Sequence, residues 1–134
     1  HTLHTSLLMK GMIEDALIER AGLLFADNEA LAHLVEGELS MSEIADRLIL
    51  SRGGTTKVVD RLEEMGYVTR RPNTEDRRAT IVAVTDAGRE ARARARVVID
   101  AELEDMWARH ITDEEAAILI DVADRVLRAR NQSL

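Results

Sequence analysis

The sequence contains no cysteine, one proline and only three aromatic side chains, Phe25, Tyr67 and Trp107, in 134 residues. Without cysteine there are no disulfides, thiolate metal sites, thiol nucleophiles or cysteine-based redox sensors. That usage fits a cytoplasmic protein. With so few aromatics, a packed core has to come from Leu, Ile, Val, Ala and Met. No apolar run approaches the roughly 18 residues of a membrane span. No segment has the charged, apolar, then small-residue order of a signal peptide. The chain begins at His1 rather than Met, so an initial stretch is expected to precede it.

Positive charge is also scarce, and it is unevenly placed. The formal net charge is −7, with 46% hydrophobic and 32% charged residues. Residues 1–50 carry 3 basic and 9 acidic side chains, residues 97–124 carry 1 and 9, and residues 125–134 carry 3 and none. Residues 51–96 reverse the balance, with 11 basic and 7 acidic. Net charge governs solubility and loose attraction, whereas a local positive block can still face a polyanion. The length fits one domain over 1–134, and the composition suits a mainly helical fold.

Apolar spacing predicts a helix over 3–20, with Leu8 and Met12 in one row, Met9, Ile13 and Leu17 in the next, and a stop at Gly22. A second helix is capped by Asp27 or Asn28, turns Leu31, Leu34 and Val35 inward, and ends at Gly37. Ser40-Met-Ser-Glu43 is a capping box. It opens a short helix with Ile44, Ala45 and Leu48 on one side. Ser51 caps the next helix, which runs to about Met65 with Val58, Val59, Leu62 and Met65 as its buried row. Gly66 stops it.

Two short helices joined by a tight turn make a helix-turn-helix candidate. The second presents Ser51, Arg52, Thr55, Thr56 and Lys57 in its first turns, residue types that reach phosphates and base edges. Gly53 and Gly54 are poor helix formers, yet near a helix start they let the backbone approach another surface. Residues 67–71 alternate as a strand, 72–76 carry turn chemistry, and 79–84 form the return strand, with Ile81 or Val82 facing the core. The hairpin is a wing whose tip carries Arg77 and Arg78 toward a narrow minor groove, where concentrated negative potential favours arginine. Asp76 is expected to brace one of them. Thr85 caps a long helix to about His110, carrying Val98, Ile99, Leu103 and Met106. Thr112-Asp-Glu-Glu115 is a second capping box. It opens a last helix striped with Ala116, Leu119, Ile120, Ala123, Val126 and Leu127. The flanking amphipathic helices, 1–22 and 87–134, fit a homodimer interface around a DNA-binding region at 27–86, or intramolecular packing in a monomer.

The segments LSMSEIADRL and LSRGGTTKVVDRLEEMGYVTRRPNTEDRRATIVAVTDAGRE resemble the helix-turn-helix and wing of the MarR family of transcription regulators. The family's wing pattern is Asp-x-Arg, alternating apolars, then Leu-Thr-x-x-Gly. Here it reads Asp76-Arg-Arg78, then Val84-Thr85-Asp-Ala-Gly88. The resemblance covers nearly the whole chain. It implies a mainly α fold with a small β-hairpin wing, a winged helix-turn-helix flanked by N- and C-terminal dimerisation helices. It also implies a homodimeric repressor on a pseudo-palindromic operator in double-stranded DNA, released by a small phenolic or aromatic effector. Carried over onto this sequence, the DNA-facing set is Ser51, Arg52, Gly54, Thr55, Thr56, Lys57 and Arg61 on the recognition helix. The wing adds Arg77 and Arg78, with Asp76 as brace. The usual Leu-Gly-Leu-Ser turn is Leu48-Ile-Leu-Ser51 here. Ile49 is β-branched and disfavours positive φ, so the turn is expected to be built differently. Together with Gly54-Thr55 this variant resembles the family's peroxide-sensing branch, but without cysteine thiol oxidation is rejected as the signal.

Met12, Leu24, Phe25 and Leu31 are candidates to line an effector site, or plain core. Arg20 is a candidate partner for an acidic effector, or a surface charge. Glu29, His33 and Glu36 share a helix face, and with His110 they have metal-ligand chemistry. Glu-rich helices give that spacing by chance, and no metal or cofactor is assigned. An enzyme is not indicated: no Ser/His/Asp arrangement is present, and Gly53-Gly54 lacks the flanking pattern of a phosphate loop. The competing reading is a winged-helix protein-interaction module that does not bind DNA. The arginine pair with Arg52 and Lys57 argues against it.

Overall fold

The structure, a computed structural model, describes residues 1–131. Positions 132–134 of the expected C-terminal dimerisation segment lie outside the described residues. Two compact units are present, His1–Asp100 and a second beginning at Ala101.

In the first unit, helix α1 (Thr2–Ala21) stops at Gly22, which takes the left-handed conformation with φ 66°. Only Ala16 and Leu17 of α1 are buried, so Leu8 and Met12 of the expected stripe are exposed. Helix α2 (Phe25–Leu34) starts earlier than its expected caps. Asp27 and Asn28 lie inside its first turns and are both 1% exposed. Asp27 still serves the helix start, because its Oδ2 accepts the Leu24 amide at 3.3 Å.

Strand β1 (Leu39–Ser40) leads directly into helix α3 (Met41–Leu48). The capping box forms as expected: Ser40 Oγ accepts from the Glu43 amide at 3.1 Å, and Glu43 accepts from the Ser40 amide at 2.7 Å. Helix α4 (Arg52–Glu64) is capped by Ser51 Oγ, which accepts from the Gly54 amide at 3.0 Å. Val58, Val59 and Leu62 are buried, but Met65 is not. The helix ends at Glu64, and the chain turns at Gly66 with φ 76°.

Strands β2 (Val68–Pro72) and β3 (Thr80–Val84) form the hairpin, and β1 adds to the other edge of β3. All pairing is antiparallel, with Leu39 and Arg70 both opposite Val82. Leu39, Val68 and Val82 are buried, which selects Val82 over Ile81 as the inward residue. Two residues are too short to show alternation, so β1 left no periodic signal.

Helix α5 (Asp86–Trp107) follows Thr85. The Thr85 hydroxyl accepts from the Gly88 amide at 3.1 Å and donates to the Gly66 carbonyl at 2.7 Å, tying the α5 start to the turn after α4. Ala91, Ala95 and Val98 complete a core of small and aliphatic residues with Leu17, Leu31, Leu34, Ile44 and Leu62. In the second unit, Thr112 and Glu115 exchange amide hydrogen bonds at 2.8 and 3.3 Å, opening helix α6 (Asp113–Asn131). Leu119, Ile120, Val126 and Leu127 on α6 are exposed.

The turn between α3 and α4 corrects the expectation for Ile49. It adopts φ 56° and ψ 47°, the left-handed geometry a glycine would take, with its amide bonded to the Ala45 carbonyl. A β-branched residue there costs roughly 1–2 kcal/mol. The side chain is 67% exposed, so little burial offsets that cost. Ile49→Gly relieves the strain but adds unfolded-state entropy, and a net gain of about 0.5–1 kcal/mol is expected by urea denaturation. A loss of stability would mean that Ile49 makes contacts outweighing its strain.

Candidate nucleic-acid interface

The recognition helix and the wing enclose one groove of about 650 Å³. Ser42 and Asp46 of α3, Arg52 and Thr56 of α4, and Arg70 and Arg78 of the hairpin line it. Residues from positions 42 to 78 therefore share one surface, because α3 sets α4 across the sheet that carries the wing.

The expected DNA-facing residues divide by their surroundings. Arg52, Thr56 and Lys57 are exposed on the first turns of α4. Thr56 donates its hydroxyl proton to the Arg52 carbonyl at 2.9 Å, leaving the oxygen able to accept. Ser51 is exposed, although its hydroxyl also caps the helix. Gly54 packs under that cap: an added Cβ would meet Ser51 Oγ at 3.2 Å. Thr55 is a correction. It is 1% exposed, with its hydroxyl bonded to the Ser51 carbonyl at 2.9 Å, so it lies at the floor of the groove rather than projecting from the helix.

Arg61 is the second correction. Its guanidinium grips Asp27 of α2, with Nη2 at 2.7 Å from Oδ1 and Nε at 3.1 and 3.3 Å from the two oxygens. The hydrogen bond to Asp27 raises the Arg61 pKa further, against a smaller opposing effect of burial. Its Nε–Nη2 edge is taken by Asp27, which ties α4 to α2.

On the wing, the Asp76 carboxylate accepts from the Arg78 backbone amide at 3.0 Å. Asp76 is thus a brace for the tip, though through the backbone rather than a guanidinium. Asn73 Oδ1 likewise accepts from the Glu75 amide at 3.0 Å, and the Asn73 amide donates to the Ala79 carbonyl at 2.9 Å. The two tip arginines face different ways. Arg78 lines the groove with the recognition helix, whereas Arg77 lies along the hairpin beside Pro72 and Asn73.

Arg70 was missed by the sequence reading. It lines the groove and pairs with Asp60, with Glu63 at 4.0 Å. Its signal was the strand alternation: Arg70 is two residues from buried Val68, so it shares the face of β2 turned toward α4. Arg71 pairs with Glu38. Against these engaged arginines, Arg52, Lys57, Arg77 and Arg78 have no carboxylate partner among the described residues. Four cations without a carboxylate partner therefore lie on α4 and the wing tip. Such an array binds phosphates and offers guanidinium forks to base edges.

The expected effector residues also separate. Leu31 is fully buried core, and Met12 lies on the exposed face of α1. Leu24 and Phe25 do line a second groove, of about 700 Å³, between α1, α2 and the α3–α4 turn. The spacing of Glu29, His33 and Glu36 produces no metal cluster among the described residues. Among them, too, no helix is long and apolar enough to cross a membrane.

A profile of the MarR family matches residues 21–79. Two Bacillus subtilis proteins are similar in sequence. The HTH-type transcriptional regulator YdgJ is 33% identical over 89 residues, covering 66% of this chain and 54% of that protein. The HTH-type transcriptional repressor MdtR is 38% identical over 72 residues, covering 53% and 46%. The chain spans about half the length of the curated relatives it matches. Among solved structures, the MarR-family regulator Sco3205 from Streptomyces coelicolor, crystallised in complex with DNA, superposes with a TM-score of 0.82. It has 23% sequence identity, and the match covers 96% of this chain and 82% of that one.

Proposed function

The chain belongs to the MarR family of transcriptional regulators, and from that premise we propose that it binds double-stranded DNA sequence-specifically as a homodimer. The observation that carries this reading is the groove in which Arg52 and Thr56 of the recognition helix meet Arg78 of the wing. In it, α4 presents Arg52 and Thr56, with exposed Lys57 beside them, to base edges and phosphates in a major groove. The wing carries Arg78, with Arg77 behind it, into the adjoining minor groove, held in shape by Asp76. Homodimerisation is supported by exposed apolar side chains on α1 (Leu3, Leu7, Leu8) and on α6 (Leu119, Val126, Leu127). A twofold dimer carries two such grooves and reads a pseudo-palindromic operator. Repression is the mode named for the relative MdtR. Release by a small effector is assigned to the groove at Leu24 and Phe25. Such a regulator acts in the cytoplasm, where DNA is.

The test is an operator titration at several salt concentrations. Arg78→Ala is expected to weaken binding and lower the slope of log affinity against log salt by about 1, one phosphate's share. Arg52→Ala is expected to relax sequence preference at one base position, at a cost of roughly 1–3 kcal/mol. An Arg78→Ala variant with unchanged affinity and slope would remove the wing from the interface.

A further inference from the structure

The groove at Leu24 and Phe25 already contains an assembled cation site. The Lys10 ammonium lies 5.2 Å from the centroid of the Phe25 ring. It also lies 2.6 Å from Glu14. Phe25 is the chain's one phenylalanine. Its electron-rich face and an adjacent carboxylate are the two elements that recognise organic ammonium groups. We propose that this groove binds amphipathic organic cations, compounds with a permanent or protonated positive centre on an apolar body. The proposal deepens the effector reading above and rests on it only for its link to DNA.

Charge complementarity selects the class. Three carboxylates line the groove, Glu14, Asp15 and Glu29, against two cations, Lys10 and Arg47. Lys10 is engaged with Glu14, whereas Asp15 and Glu29 have no cationic partner among the described residues. A phenolate or carboxylate entering the groove meets this excess of like charge. A cation meets an aromatic face and two unneutralised carboxylates. Ile18, Leu24 and Leu50 supply the apolar lining, and a volume of about 700 Å³ suits a drug-sized molecule. Lys10 holds the place with a tethered cation on an exposed stem, half of its side chain in solvent. A ligand displacing it keeps the cation–aromatic contact and also covers the apolar wall.

That wall supplies the coupling to DNA. Arg47, Leu48, Ile49 and Leu50 line the groove and lead straight into Ser51, the cap of the recognition helix. Ile49 holds the strained left-handed conformation within it. A ligand packed on Ile49 and Leu50 therefore touches the segment that aims α4.

The test uses two probes of the same shape and opposite charge, tetraphenylphosphonium and tetraphenylborate, titrated calorimetrically into the full chain. The phosphonium is expected to bind once per chain and at least about tenfold more tightly than the borate. Asp15→Asn with Glu29→Gln is expected to weaken the phosphonium about tenfold with little change in Tm, since Asp15 is exposed, Glu29 is half-buried and both replacements keep the side chain's shape. Lys10→Met is expected to tighten it severalfold by removing the tethered competitor. Equal or tighter borate binding overturns the proposal, as does unsaturable uptake of both probes or a Lys10→Met variant that loses phosphonium binding. DNA binding is read separately by anisotropy on the same preparations. A chain that takes the phosphonium but no DNA upholds the cation site and overturns the regulator reading; the converse spares the regulator and overturns the site.

Discussion

Arg61→Ala is expected to lower stability by about 3 kcal/mol, a fall in Tm of roughly 10 °C for a chain of this size. The cause is the partner left behind. The Asp27 side chain is 2% exposed, and Arg61 supplies three of its hydrogen bonds. Without the guanidinium, a carboxylate stays buried with only the Leu24 amide at 3.3 Å for compensation. The Arg61 side chain is itself 38% exposed, so solvent screens part of the attraction and the expected cost sits at the lower end for buried pairs. Asp27→Ala is expected to cost less, because the stranded arginine can turn toward water. The paired change Asp27→Leu with Arg61→Met should recover most of the loss, as buried ion pairs often exchange for apolar residues at little cost. Urea denaturation of the four proteins checks these three expectations. An Arg61→Ala loss below about 1 kcal/mol would mean that Arg61 is a surface residue available for DNA contact, as the sequence suggested.

Gly88→Ala is expected to destabilise by about 3 kcal/mol or more, although helix propensity alone favours the change by roughly 1 kcal/mol. A Cβ at Gly88 would lie 2.1 Å from the Tyr67 carbonyl oxygen and 2.8 Å from Val84 Cγ2. The carbonyl cannot yield, because it is backbone and already accepts the Thr85 amide at 3.0 Å. The clash therefore outweighs the propensity gain. It also falls where α5 presses on the base of the hairpin, so the wing should be displaced with it. Gly53→Ala is the control. Nothing lies within 4 Å of its added Cβ, and stability should be held or rise slightly. A Gly88→Ala protein as stable as the parent would show that α5 and the hairpin can separate without cost.

The sequence was most informative where local chemistry decides structure. Both capping boxes, the Ser51 cap, the stop at Gly66 and the hairpin itself all follow from side-chain type and spacing, whereas the choice of Val82 over Ile81 as the inward residue came from the register. It was least informative where distant partners decide. Arg61 read as one more cation on the recognition helix, because nothing local reveals that Asp27, thirty-four residues earlier, claims it. Thr55 read as exposed because Arg52, Thr56 and Lys57 around it are polar and exposed. The helical period places it instead on the buried side with Val58, Val59 and Leu62. Asp27 read as a cap because acidic residues favour helix starts, and its place in the first turn keeps that role while moving the boundary. Ile49 was expected to avoid positive φ and so to build the turn differently, yet it takes the left-handed geometry there. Strand β1 was silent because two residues carry no period. Arg78 kept its expected place at the wing, facing the recognition helix across the groove.

The negative charge of the chain has a consistent place in this scheme. The carboxylates near α4 hold Arg61 and Arg70 in position, leaving Arg52, Lys57, Arg77 and Arg78 unneutralised. An acidic remainder disfavours loose binding to phosphates in general.

The most direct measurement is selection of bound duplexes from a randomised DNA pool at physiological salt, followed by sequencing. A homodimeric regulator should recover an inverted repeat with half-site centres about 10 bp apart, and the enrichment should disappear in Arg52→Ala. Recovery of no motif from folded protein free of effector, with only weak salt-sensitive binding, would contradict sequence-specific DNA recognition and leave the winged helix as a surface for protein partners.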